Sequence, residues 1–180
     1  GQKLTIVRGR GGLDAATAVG KQVDEGRSFQ ARAAYDAQNL YLAFDVSSPH
    51  ALVNAAADPQ LLFKGGNCLD VQVAADPKAD PKRTKPAPGD VRILVTRQAE
   101  KPFAVIYRPK VAGFDGKPVV LSSPTGSESF DRIETTDRVG LEYKPRAGGF
   151  AAVVTVPLEL IGLRPEPGAV VRMDLGYVFG

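Results

Sequence analysis

Residues 29–35 and 40–46 alternate apolar and polar side chains, and the two runs are separated by Asp36-Ala37-Gln38-Asn39. A period of two belongs to a β-strand, and a turn-forming tetrapeptide between two such runs predicts a β-hairpin. A third alternating run, residues 68–74, follows the Gly65-Gly66 break. Leu40, Leu42, Phe44 and Val46 share one face of the second run, with Tyr41, Ala43 and Asp45 on the other. In the third run Leu69, Val71 and Val73 alternate with Asp70, Gln72 and Ala74. Such strands are stable only when the apolar face is buried against another layer, so the six apolar residues Leu40, Leu42, Phe44, Leu69, Val71 and Val73 are expected in one core.

The rest of the chain repeats this grammar. Residues 3–7, 91–96, 103–107, 118–121, 136–143, 149–156 and 170–179 read as further strands. Asp115-Gly116 and Pro145-Arg146-Ala147-Gly148 read as turns joining neighbours. Residues 13–19 suit one helical turn or an irregular arm, and residues 158–163 are too few for a full helix. Nineteen Gly and fourteen Pro punctuate the chain at short intervals, as many short strands require. The expectation is an all-β antiparallel sandwich, jelly-roll or immunoglobulin-like. It forms one domain over residues 1–180, with residues 1–26 a less regular arm. The last strand runs to the end of the chain with no turn after it, so a fold truncated at its C-terminal end and a longer natural polypeptide are expected.

Charge narrows the partners. The net charge is +3, from 23 basic and 20 acidic residues mixed along the chain. A nucleic-acid binder concentrates its basic residues on one face. The densest basic stretch, residues 78–85, is broken by Asp80 and by prolines and reads as a solvated loop. The one cysteine, Cys68, rules out an internal disulfide and any metal site built from several cysteines. No apolar run reaches the length of a membrane span. The chain starts at Gly1 rather than Met, which reads as a processed or excised segment with any signal peptide already removed.

The residues for catalysis are sparse. The sole histidine, His50, follows Ser47-Ser48-Pro49 in a loop, and no serine sits in a GxSxG elbow. Asp45, Asp70, Glu134 and Glu142 supply carboxylates, but nothing in the spacing sets two of them face to face as glycoside hydrolysis requires. The GRGG of residues 9–12 lacks the Lys-Ser/Thr of a phosphate loop. An enzyme is therefore not expected. Two ligand readings stay open. His50 and Met173 are a residue pair able to hold a b-type haem, and Asp58, Asp76, Asp80 and Asp90 offer oxygen ligands for a structural calcium.

Four segments taken together carry a family resemblance. AAYDAQNLYLAFDVSS, LLFKGGN, CLDVQVAADP and the closing VPLELIGLRPEPGAVVRMDLGYVFG follow one another in the order seen in family 9 carbohydrate-binding modules and the related DOMON-type domains. The likeness covers residues 29–179. It implies a sandwich that binds sugar or haem without catalysing a reaction. The expected role is a module of a larger exported bacterial protein, extracellular or periplasmic, with glycan or oligosaccharide and the other domains of its own polypeptide as partners. Neither nucleic acid nor membrane is an expected partner, and no cofactor is expected on this reading. The sugar ligands are expected at Asp70, Gln72 and Arg92, on the face opposite Leu69, Val71 and Val73. Tyr107 or Tyr41 would be the stacking surface, with Phe63 a further candidate. Such modules commonly stack the sugar on tryptophan, and this chain has none, so weak binding is expected. The competing readings are an electron-transfer domain with haem on His50 and Met173, and a ligand-free structural or interaction domain.

Overall fold

The computed structural model describes residues 27–80, 82–123, 126–164 and 171–179. The strand and arm expected at residues 3–7 and 13–19 lie outside these. The hairpin forms as its alternation predicts. β1 (Ser28–Tyr35) pairs with β2 (Asn39–Ser47), Phe29 opposite Val46 and Tyr35 opposite Leu40. Asp36 builds the turn, its Oδ1 accepting from the backbone N–H of Gln38 and of Asn39, each at 2.7 Å. This side-chain mimic of a backbone turn is why Asp is favoured there.

Among the described residues nine further strands follow: β3 (Cys68–Ala74), β4 (Asp90–Gln98), β5 (Lys101–Arg108), β6 (Val119–Ser123), β7 (Gly126–Phe130), β8 (Arg132–Thr136), β9 (Gly140–Arg146), β10 (Gly149–Pro157) and β11 (Arg172–Val178). All the pairings among them are antiparallel. One sheet has the order β1-β2-β10-β9, a second β11-β3-β4-β5-β8, and β6-β7 stand apart as a two-stranded ribbon. The architecture is an all-β antiparallel sandwich. No helix among the described residues is long and apolar enough to cross a membrane.

The core lies between the two large sheets. Leu40, Leu42, Phe44, Val46, Phe150 and Val154 enter it from the four-stranded sheet, and Leu69, Val71, Val73, Ile93 and Ile106 from the five-stranded one. None is more than 2 % exposed. Full burial of such side chains contributes about 1.5–3 kcal/mol each, so a one-residue slip of β2 or β3 would forfeit a whole row. The sheet also closes tightly on itself. A Cβ at Gly149 would come within 1.9 Å of the Val46 carbonyl oxygen, so only glycine lets β10 lie against β2 there.

The second half of the chain departs from the expected pairings. The expected hairpin of residues 103–107 with 118–121 does not form. β5 pairs with β4 and β8, while β6 pairs with β7. β7 reads GSESF, in which Phe130 alone is buried, so its strand character carries no apolar period. The single strand expected at residues 136–143 is two: β8 ends at Thr136 in one sheet and β9 begins at Gly140 in the other, with Val139 buried at the crossing. Residues 158–163 give the short 3₁₀ turn Leu158–Ile161, closed by Gly162 at φ 67°.

A second, smaller apolar cluster covers part of the outer face of the five-stranded sheet. Leu62, Cys68, Leu94, Val105, Tyr107 and Phe130 compose it. Leu62 arrives on the 3₁₀ turn Pro59–Lys64, whose start is capped by Asp58 accepting from the Gln60 N–H at 2.9 Å. Phe130 arrives at the foot of the ribbon, its ring 5.4 Å from that of Tyr107. One end of this outer face is thus sealed, and the other stays polar.

Candidate functional site

At the polar end, strand register sets the side chains in a row. Asp174 on β11 is opposite Gln72 on β3, Gln72 opposite Arg92 on β4, and Arg92 opposite Tyr107 on β5. Directly paired residues project from the same face of a sheet. Asp70 stands on that face two residues along β3, between Gly176 and Leu94. Arg92 reaches across to it, donating from Nε to Oδ1 at 3.0 Å and from Nη2 to Oδ2 at 2.6 Å. Both partners lie mostly out of water, with side-chain exposures of 25 % for Arg92 and 11 % for Asp70. Burial disfavours the Arg92 cation, but the hydrogen bonds and charge of Asp70 outweigh it, and the guanidinium holds its proton more firmly than usual. A bidentate pair of this kind fixes orientation as well as charge.

Three depressions meet over Arg92. One, of about 350 Å³, lies between Gln72 and Asp174 on the sheet and Arg83, Pro86 and Asp90 beside it. A second, of about 410 Å³, runs under the ribbon past Phe63, Leu121, Ser122 and Glu128. The third, of about 570 Å³, joins Gln72 and Pro86 to Pro109, Lys110 and Ser127. Together they form a groove. The sheet supplies its floor, the Pro-rich loop after β3 one wall, and the β6-β7 ribbon the other. The loop owes its shape to its aspartates. Asp76 and Asp80 each accept from the N–H two residues on, and Asp90 binds both Arg83 and the Ala87 N–H. Asp174, on the floor, accepts from the Leu175 N–H, which does not offset the effects of burial and of a neighbouring charge. Burial first, and the charge of Asp70 second, push its carboxyl above the ordinary carboxylate range.

The residues read from the sequence fall into three groups. Asp70, Gln72 and Arg92 come together on the groove floor. Tyr107 lies in the same row but offers no stacking surface. It is 1 % exposed, packed under Phe130, and its hydroxyl donates to the Gln60 carbonyl at 3.2 Å. Burial raises its phenol well above the usual range. The half-buried ring of Phe63 lines the groove beside Arg92. Tyr41 belongs elsewhere, on the outer face of the other sheet. Its hydroxyl donates to Asp36 Oδ2 at 2.8 Å and pins the β1-β2 turn.

His50 and Met173 are not brought together. The exposed His50 lies in the loop that Asn67 ties to the start of β3 by donating to the Ala51 carbonyl, whereas Met173 is opposite Val73 near the other end of that strand. The strand between rises roughly 16 Å, too far for two axial ligands of one iron. The four aspartates considered for calcium are each occupied in local turns. Among the described residues no three His, Cys, Asp or Glu gather as a metal site. Sequence reading missed Asp174, Arg83 and Glu128. Alternation along β11 sets Asp174 opposite in sense to Met173 and would have found it, whereas Glu128 sits in a strand with no apolar period.

Cys68 begins β3 at 0 % exposure, and burial pushes its thiol up to about 12. The thiolate is the reactive form, so the native protein is expected to be inert to a disulfide-exchange reagent at pH 8. Titrating the thiol with and without denaturant checks this; rapid labelling of the native state would mean that the outer cluster opens readily.

No protein-family model, curated protein or solved structure matches this chain.

Proposed function

We propose that this domain is a non-catalytic carbohydrate-binding module, holding a glycan or oligosaccharide in the groove over Arg92. The observation that carries the reading is the pairing of charges there. Arg92 is bound to Asp70, Arg83 to Asp90 and Lys110 to Asp131, so three of the four cations that line the groove are already compensated, Arg172 at its end being the fourth. A phosphate or nucleic-acid backbone would have to break these pairs, and removing one partner of a partly buried pair is costly. A polyhydroxylated ligand has no such need. It asks for closely spaced, fixed donors and acceptors, which the Asp70-Arg92 pair and the Gln72 amide supply. Phe63 adds one ring for the C–H face of a sugar.

A single ring without tryptophan gives weak affinity, and millimolar binding corresponds to about −4 kcal/mol. Weak sites suit a module carried on a larger polypeptide, where tethering raises the effective concentration of ligand for its neighbours. That is the role expected of an accessory domain in an exported bacterial protein, extracellular or periplasmic.

Titration with xylo- and cello-oligosaccharides, followed by NMR, tests the reading. Shifts are expected at Gln72, Arg92 and Asp174, and Gln72→Ala is expected to weaken binding about three- to tenfold, the value of one net hydrogen bond, with the melting temperature unchanged. Shifts confined to other residues would move the site. No shift at high millimolar sugar would favour a structural or interaction role, and a Soret band in the purified protein would favour haem.

A further inference from the structure

The outer face of the four-stranded sheet departs from the usual alternation. An antiparallel sheet that faces water ordinarily turns polar side chains outward. Here the two inner strands, β2 and β10, turn out Tyr41, Ala43, Ala151, Val153 and Thr155 along their middle, with Asp45 the one charge among them. Strand register carries these rows to both edges. One row begins at Arg32 on β1, crosses Ala43 and Val153, and ends at Glu142 on β9. The next begins at Gln30, crosses Asp45 and Ala151, and ends at Lys144. The face is thus a flat strip of short and apolar side chains with long exposed charges at its rims, Arg32 at one and Glu142 and Lys144 at the other. None of these three enters an ion pair of the described residues, whereas Asp45 is bonded to Arg146. We infer that two copies of this chain pack face to face through this sheet, about a twofold axis that runs along the strands between β2 and β10.

Charge complementarity chooses both the partner and the axis. A twofold along the strands lays β1 of one copy over β9 of the other, so Arg32 meets the second copy's Glu142 twice over, and Lys144 meets Gln30. Ala43 then lies over Val153 at the centre, and no like charges oppose each other. A twofold across the strands would instead set Arg32 on Arg32 and Glu142 on Glu142, a repulsion that disfavours that packing. Aligned sheets cross at about 30°, which offsets the edge strands by about 4 Å, within the reach of Arg and Glu side chains. Four strands of seven to nine residues make a face on the order of 19 by 25 Å, so the pair buries on the order of 900 Å², the size of a weak, reversible interface. The groove over Arg92 lies on the outer face of the other sheet, so this dimer leaves both grooves open and facing away from each other.

Analytical ultracentrifugation of the full chain over a concentration series tests this. A monomer-dimer equilibrium is expected, with Kd between about 10 µM and 1 mM. Arg32→Glu and Glu142→Arg, each at an exposed position, should each weaken association at least tenfold with the melting temperature unchanged. The double variant Arg32→Glu/Glu142→Arg restores opposite charges across the axis and should return Kd to within about threefold of the parent value. That rescue separates a contact between copies from any general effect of net charge, because the double variant carries the parent's charge. A full chain that stays monomeric at millimolar concentration would overturn the inference and leave the face to residues 1–26 of the same chain or to solvent. Association that both single reversals leave intact, or a double variant no tighter than the single ones, would equally overturn it. The carbohydrate reading stands or falls separately, by the sugar titration above.

Discussion

Phe150→Ala is expected to lose about 3–5 kcal/mol of stability, the range for deleting a buried aromatic ring from a close-packed core. Phe150 is 0 % exposed and stands opposite Val46 at the end of the sandwich. Its ring lies 5.3 Å from that of Tyr143 on β9 and 5.8 Å from that of Tyr177 on β11, so it bridges the two sheets. The cavity left behind cannot collapse without shifting strands of both layers, which puts the cost toward the upper end. Against a typical domain stability of about 5–15 kcal/mol, the variant would sit close to unfolding. Urea denaturation should show a much lower midpoint at an unchanged slope. Val153→Ala serves as the control, because Val153 is next but two along the same strand on the outer, half-exposed face and should cost under about 1 kcal/mol. Similar losses for the two variants would mean that β10 presents its other face to the core.

The contrast between Phe150 and Val153 is also the contrast between what the sequence disclosed and what it hid. Alternation is a local property, and it placed Leu42, Phe44, Leu69 and Val71 inward and Asp70 and Gln72 outward. Asp36 announced its turn because its own side chain makes the turn's hydrogen bonds. The fate of the outward face is not local. Tyr107 alternates correctly with Ile106, yet what buries its ring is Phe130 and the turn Pro59–Lys64, segments distant in the chain. No pattern around Tyr107 signals that cover. The same holds for Tyr41, whose outward direction was legible but whose sheet was not, since sheet membership depends on which strand β2 meets second. That strand is β10. The ribbon escaped for a different reason. β7 is held by pairing with β6 and by one buried residue, so its backbone forms a strand that its composition does not advertise.

Asp70→Ala is expected to show how far the groove floor is part of the fold. The substitution takes from Arg92, whose side chain is 25 % exposed in the parent protein, the carboxylate bonded to it, leaving the charge of Glu128 nearby. Removing one partner from a fully buried pair costs about 3–5 kcal/mol. Here the guanidinium still reaches water at the groove, so a loss of about 1.5–3 kcal/mol is expected, the scale of hydrogen bonds to a charged group. Arg92→Met should cost less, because Asp70 is small and the methionine fills the vacated stem. The double variant should then be more stable than the sum of the two single losses implies. A coupling of about 1–2 kcal/mol in that cycle would mark a real pair, and additivity within about 0.5 kcal/mol would mark a pair that contributes nothing. Sugar binding separates the two roles of the pair. Asp70→Ala should abolish binding while releasing Arg92 from its fixed orientation, whereas Gln72→Ala should weaken binding with no loss of stability. If Asp70→Ala bound sugar as well as the parent protein, the pair would be a strut of the sheet alone, and the recognising groups would have to be sought on the walls of the groove.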